Sequence, residues 1–313
     1  MSTERPPLTV GVTTKDRPEA LVRCLSSLAL LGDRVTEVII VDDSSDPPVG
    51  EDLLQRVPAA IRVKARVVHQ QGSLGYIVAR NTIVRLAAND AVLLLDDDAH
   101  LIDAEAVDRG LAAFGEAPRV AAVGFSQAEA DGRPWPVGMQ PSRVRHPSFV
   151  TSFIGFAHLL RRSTFLSLGG YRELFHFYGE EKDYCMRLLA AGYGVVYFPD
   201  ALVAHVPASA GRSDSRYLRY TVRNDCLCAL FNEPWPVALL TVPVRLKRYA
   251  AMRRQLGVTD ACGMTWILGE LWRALPLLAR ERTPMPWRAL RQWHRLHRAP
   301  LAFPDARAVE APV

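Results

Sequence analysis

The 313-residue chain lacks several things whose absence narrows what it can be. No stretch reaches about 18 uninterrupted apolar residues, which excludes an obvious membrane-spanning helix. The opening MSTERPPLTV holds no apolar run of signal-peptide length, so the expected location is cytoplasmic. No C-x-x-C pair occurs, and Cys24, Cys185, Cys226, Cys228 and Cys262 are scattered and odd in number. That argues against a disulfide framework or a zinc ribbon and for reduced thiols. Internal repeats are absent. Charged residues are too few (23%) and apolar residues too many (49%) for wholesale disorder, and the length allows one large α/β domain with an extension. Acidic residues thin out toward the C-terminus: residues 1–210 carry 21 basic and 25 acidic side chains, whereas residues 211–313 carry 17 and 8. The basic tail therefore sets the net charge of +5, and by charge alone it suits nucleic acid, an anionic membrane, a phosphate-bearing substrate or merely solvent.

What is present is a strand–helix alternation through residue 95. Leu8–Thr14 alternates apolar residues and reads as a strand; Asp16 is placed to cap the helix after it, with Pro18 in its first turn. Glu37–Asp42, Ala65–His69 and Ala91–Leu95 are short apolar or β-branched runs expected to be buried strands, and Gly75–Ala88 reads as a helix. This alternation predicts a mostly parallel sheet flanked by helices. Further on, 126–148 reads as a long loop, Phe149–Leu160 as one strand, Glu180–Ala191 as a helix stopped by Gly192, and Val195–Phe198 as a short strand. From about Ser213, Arg, Leu and Trp at helical spacing predict a helical extension.

Parallel sheets bind ligands beyond the carboxyl ends of their strands, so polar residues that directly follow a strand are the candidates. Thr13-Thr14, Asp42-Asp43 and Asp96-Asp97-Asp98 all do. Crowded carboxylates at a strand end repel one another; a hard divalent cation such as Mg²⁺ or Mn²⁺ relieves this and keeps positions for phosphates. A solvated turn, or the D-x-D of a metal-dependent phosphatase, would also explain the triplet. Gly72-Ser73-Leu74-Gly75 precedes the helix bearing Arg80, where a helix start and a guanidinium could meet a diphosphate. Glu180-Glu181-Lys182-Asp183 opens a helix, which the helix dipole alone would favour, but a carboxylate there could also serve as a general base. His205 is either a structural histidine or a further ligand for a Mn²⁺-type site.

In order and spacing, VGVTTKDRPEAL, EVIIVDDSS, GSLGYIVARN, LLLDDDAHL, LGGYRELFHFYGEEKDYCMRLLAAGYGVVYFPDALVAHV and RYTVRND resemble family 2 glycosyltransferases of the GT-A fold across about residues 8–225. The resemblance implies a Rossmann-like GT-A domain over 1–212, with a nucleotide half to about residue 100 and an acceptor half from 101, followed by the helical extension, 213–313. It implies donor contacts from Thr13, Thr14, Arg17, Asp43, Gly75, Arg80, Asp96 and Asp97, with Arg80 near the diphosphate. Asp96, Asp98 and His205 would serve Mn²⁺ or Mg²⁺. Glu181 would be the base, and Glu180 and Asp183 would orient it or bind acceptor hydroxyls. Glu181 stands where the family usually has Asp, so Glu180 could exchange roles with it. The implied reaction is a metal-assisted inverting displacement. It moves a hexosyl or deoxyhexosyl group from a UDP- or dTDP-sugar to a hydroxyl on a glycan, a lipid-linked or a small acceptor. A sugar-nucleotide-binding protein without turnover is the alternative on the same fold. Nucleic acid is not an expected partner. The apolar stretches Trp235–Val244 and Trp266–Leu278, flanked by Arg245, Lys247, Arg248, Arg280 and Arg282, suit peripheral contact with the inner membrane face; a helix–helix packing face or a homodimer interface is the plainer explanation of them.

Overall fold

The computed structural model describes residues 6–207 and 213–305. Strand β1 (Leu8–Thr14) leads through α1 (Pro18–Ser27) to β2 (Val35–Asp42). Two single-turn helices, α2 (Glu51–Leu54) and α3 (Ala59–Arg62), precede β3 (Ala65–His69), and α4 (Tyr76–Leu86) returns the chain to β4 (Ala91–Asp96). Then come β5 (Ala99–Leu101), α5 (Glu105–Glu116), β6 (Val120–Ala128), β7 (Ser148–Val150), β8 (Ala157–Arg161), α6 (Arg162–Ser167), α7 (Glu180–Ala190) and β9 (Gly194–His205). The C-terminal part is α8 (Asp214–Asn232), α9 (Trp235–Gln255), α10 (Gly263–Arg273), α11 (Leu275–Glu281), α12 (Trp287–Arg298) and β10 (Leu301–Ala302).

One sheet runs β10-β7-β9-β6-β8-β4-β1-β2-β3, with β5 paired to β9. Its β3-β2-β1-β4 half is parallel, as the alternation requires, and β8 then joins β4 and β6 antiparallel. All seven residues of β1 are buried, the mark of a central strand covered on both faces. Helix α4 lies so close on β1 that a Cβ on Gly11 would come within 2.2 Å of Ile83 Cγ2. The register decides where chemistry can gather. Thr14 pairs with Asp42 and Thr13 with Asp96, so β1, β2 and β4 end level.

Three local expectations are corrected. Asp16 does not cap α1: the capping position is Arg17, without a side-chain cap, and the Asp16 carboxylate instead accepts the Asp46 N–H at 2.8 Å, tying two loops together. The apolar run Phe149–Leu160 is two short strands on different neighbours, separated by a Gly155-containing loop, because β7 pairs with β9 and β8 with β4. The strand at Val195 extends to His205, its far end held by β5 and β6. The extension does not stand apart: Leu227, Phe231, Leu290 and Trp293 share the main core, and β10 pairs with β7 at the sheet edge. Helices α8–α10 add a small second core around Leu218, Val222, Tyr249 and Ile267.

Candidate functional site

The level strand ends bring three groups together. The first is the acidic triplet. Thr14 Oγ1 donates to Asp97 at 2.8 Å, and Arg17 Nη1 bridges Asp97 at 3.1 Å and Asp98 at 3.0 Å. Burial pushes the Asp97 carboxyl up to about 6, although Arg17 and Thr14 pull it the other way. Thr14 and Asp97 thus brace the triplet from within. Pairing of Ala99 with His205 lays the end of β9 along β5 and delivers the His205 ring to Asp98. That ring is fixed on three sides. Phe156 and Trp135 stack against it, with centroids at 4.7 and 5.4 Å, and Nδ1 lies 2.6 Å from Gln127 Oε1. Gln127 spends its own N–H on the Met139 carbonyl, so its oxygen faces the ring and His205 Nδ1 carries the proton. Nε2 faces Asp98 Oδ1 at 3.5 Å, and that buried oxygen has no hydrogen-bond partner, although against burial the His205 ring and Arg17 hold the Asp98 carboxyl below its ordinary range. Two acceptors across such a gap need a cation or a second proton between them. The donor set suits a hard divalent ion that keeps its other positions for phosphate oxygens.

Among the described residues no three His, Cys, Asp or Glu side chains converge as a ready metal cluster. The expected third ligand, Asp96, is drawn away: its carboxylate accepts from Arg80 Nη2 at 2.6 Å. In this structure Arg80 is directed at carboxylates, while Asp96 keeps its second oxygen and stays 30% exposed. Arg80 is 2% exposed and the hub of the second group. Nη1 donates to Glu180 at 2.9 Å and lies 3.8 Å from Glu181; Nη2 also donates to the Gly155 carbonyl at 2.8 Å. Burial disfavours its charge, but Asp96 and Glu180 hold the proton on more firmly than usual. Breaking such a buried pair by removing one partner costs about 3–5 kcal/mol. The arrangement sorts the two glutamates: the Glu180 side chain is fully buried and also accepts the Tyr76 hydroxyl at 3.3 Å, while Glu181 remains 15% exposed. Burial pushes both carboxyls above their ordinary range, and the two titrate as a pair. Asp183 lies behind this group. It is wholly buried among Arg172, Arg187 and Asn232 and presents nothing to an acceptor hydroxyl.

The third group surrounds Asp43. Its carboxylate accepts from the Leu74 and Gly75 backbone N–H groups at 2.6 and 3.1 Å and from Ser73 Oγ at 2.8 Å. The anion at the start of α4 is therefore the protein's own, and Gly75, at φ 91°, makes that turn. Asp43 pins the glycine loop, so a nucleoside contact from it must add to these bonds or displace them. Thr13, 7% exposed, sits opposite Asp96 in the register between the two groups.

Several contributors carry no motif signal. Gly155 leaves room where a Cβ would lie 2.3 Å from Glu181 Oε1. Gln127 and Trp135 orient His205. Below Gly155, buried His158 is held neutral and links Tyr171 to the Gly155 carbonyl. The RYTVRND segment supports the site from α8: Asn224 Nδ2 donates to the Phe175, Phe177 and Tyr178 carbonyls at 2.7–2.9 Å, fixing the left-handed turn at Tyr178 and Gly179 that starts α7.

A family model described as glycosyl transferase family 2 matches residues 9–173, more than half of the chain. The chain belongs to this family. The matched span holds the strand-end acids, Arg80 and Gly155, and stops before α7. Among family relatives, the chain is 30% identical over 248 residues to the N-acetylglucosaminyl-diphospho-decaprenol L-rhamnosyltransferase of Mycobacterium tuberculosis, covering 67% of this chain and 79% of that protein. It is also 30% identical over 210 residues to the pre-mycofactocin glycosyltransferase of the same organism, covering 63% of this chain and 42% of that one. It thus spans less than half of that relative. Staphylococcus aureus TarS 1-349, solved in complex with UDP-GlcNAc, superposes with a TM-score of 0.61 at 18% identity, over 94% of this chain and 87% of that one. The mannosyltransferase PcManGT of Pyrobaculum calidifontis, solved with GDP-Man and Mn²⁺, gives 0.56 at 17% identity, over 87% and 81%. The GT-A fold is therefore that of this family 2 chain.

Proposed function

We propose that this family 2 chain transfers a sugar from a nucleoside-diphosphate sugar to an acceptor hydroxyl by a single inverting displacement, with Glu181 as the base. One observation carries the reading: Arg80 gathers Glu180, Glu181 and Asp96, and Asp96 stands two residues before Asp98, which faces His205. Asp98 and His205 would hold Mn²⁺ or Mg²⁺, which when bound neutralises the charge of the departing diphosphate. The exposed guanidinium of Arg17 lies beside them and adds positive charge on the same side. Glu181 stays partly exposed with its carboxyl raised by burial, which makes it a stronger proton acceptor than an ordinary glutamate. As the acceptor oxygen bonds to the anomeric carbon and the diphosphate bond breaks, Glu181 takes the hydroxyl proton. Arg80 and Glu180 keep it in place.

The donor's nucleoside would lie along Thr13 and the Asp43 loop. The TarS structure holds a UDP-sugar and the PcManGT structure GDP-Man, which together support a nucleoside-diphosphate sugar and leave its base to experiment, and the rhamnosyltransferase relative, named for a decaprenol-linked acceptor, supports a lipid-linked one. The test is thermal stabilisation against a panel of nucleoside diphosphates and nucleotide sugars with and without Mn²⁺, followed by nucleotide release from the donor selected. A Mn²⁺-dependent shift together with turnover that Glu181→Gln abolishes is the expected result. Binding without turnover under every acceptor and metal condition would make the chain a sugar-nucleotide-binding protein instead.

A further inference from the structure

Helix α9 buries only Ala238 and Tyr249 of its 21 residues. Over its first turns it exposes Trp235, Leu239, Leu240 and Val244, Leu240 at 75%. Leu240 and Val244 share one side of the helix with exposed Lys247 and Arg254, whereas Arg248 lies round the helix, 3.4 Å from Asp225, and the helix contains no acidic residue. Nearby, Arg282 lies over the Trp235 ring at 4.1 Å, and α10 exposes Leu268 and Trp272. Large apolar side chains so exposed mark a contact surface. No helix among the described residues is long and apolar enough to cross a membrane. Three observations bear on what α9 contacts. Trp and Leu beside Lys and Arg is the composition that seats a helix at the headgroup boundary. A second copy fits poorly, since a two-fold contact would bring α9 against an equally basic α9. Finally, a single carboxylate couples α9 to the site: Asp225 accepts from Arg245 at 3.1 Å and from Lys182 at 2.7 Å, the residue next to Glu181.

We propose that α9 docks the chain on an anionic lipid bilayer, with Leu239, Leu240 and Val244 in the interface and Lys247 and Arg254 at lipid phosphates. Docking there sets the helix that bears Glu181 close to the membrane, where a lipid-linked hydroxyl would arrive. Only this last consequence rests on the transfer reading; the docking is measured without any donor. The experiment is co-sedimentation of the full chain with vesicles of phosphatidylcholine alone and of phosphatidylcholine mixed with phosphatidylglycerol, at low and high salt. Binding to the anionic vesicles is expected, weaker at high salt and on neutral vesicles. Leu239→Glu with Leu240→Glu should lower it about tenfold or more while leaving the melting temperature within a degree or two, because neither side chain packs inside. No sedimentation at low salt, or binding indifferent to that double variant, overturns the proposal. So does a dimer by light scattering that the same variant dissociates and that ignores vesicles, since the face is then a subunit interface.

Discussion

Gly155→Ala tests the geometry of the base most directly. Nothing in the Gly155 backbone requires glycine, so the change acts through space alone. The new Cβ would stand 2.3 Å from Glu181 Oε1, 2.7 Å from Arg80 Nη1 and 3.0 Å from Nη2. An ordinary carbon–oxygen contact needs about 1 Å more than the first of these. Arg80 is pinned by Asp96, Glu180 and the Gly155 carbonyl, so it has little room to yield. Glu181, the freer partner, must move by about that 1 Å. A shift of this size in a reacting group costs about 100-fold in rate, and overpacking costs about 1–3 kcal/mol of stability. Nucleotide release from the donor should therefore fall about 100-fold while donor affinity, measured by thermal shift or calorimetry, stays within about twofold, because the proposed donor contacts, Thr13 and the Asp43 loop, are not among the atoms that the new Cβ meets. A melting temperature a few degrees lower should accompany it. Wild-type turnover in a folded Gly155→Ala protein would refute the reasoning and remove Glu181 from the role of base.

Other outcomes follow from the same geometry. Glu181→Gln should lower turnover by about 100- to 10,000-fold with donor binding intact; equal losses in both would mean a binding role instead. Because burial raises the Glu181 carboxyl and the ionised form is the active one, turnover should rise with pH through a midpoint above the ordinary glutamate range. An acid limb at or below the ordinary value of 4.5 would contradict this. Asp98→Ala should abolish the Mn²⁺-dependent part of the donor's thermal shift, whereas Asp97→Asn should leave most of it; the reverse ranking would relocate the ion. Asn224→Ala removes three hydrogen bonds from the turn before α7 and leaves carbonyls unpaired, so about 2–3 kcal/mol of stability should be lost in denaturant titration. A neutral result would mean that the turn holds its shape without α8.

How far the residues alone reveal this molecule can be judged position by position. Asp96–Asp98 and Asp42-Asp43 announce themselves because each follows a short apolar run, and such runs at the spacing of β-α alternation have one economical arrangement. The GEEKD helix start and the switch to helical texture near Ser213 are legible for the same local reason. The roles of Arg80 and Asp183 are not. One is expected at a diphosphate and the other beside the base, yet Arg80 lies buried among carboxylates and Asp183 in the packing, because distant elements close over them. Gly155 hides within an apolar run that reads as one strand, and Gln127 has no pattern at all.

The sequence by itself therefore determined the α/β alternation, the acids at the ends of β2 and β4, the acidic start of α7 and the basic, apolar character of the C-terminal helices. Those are properties of periodicity and neighbouring residues, which a chain carries before it folds. Only the tertiary structure decided that Glu181 is the accessible glutamate, that Arg80 serves carboxylates, and that His205 meets Asp98. Each depends on register and burial between segments far apart in the chain, and a buried charge takes its role from whichever partner the fold closes around it.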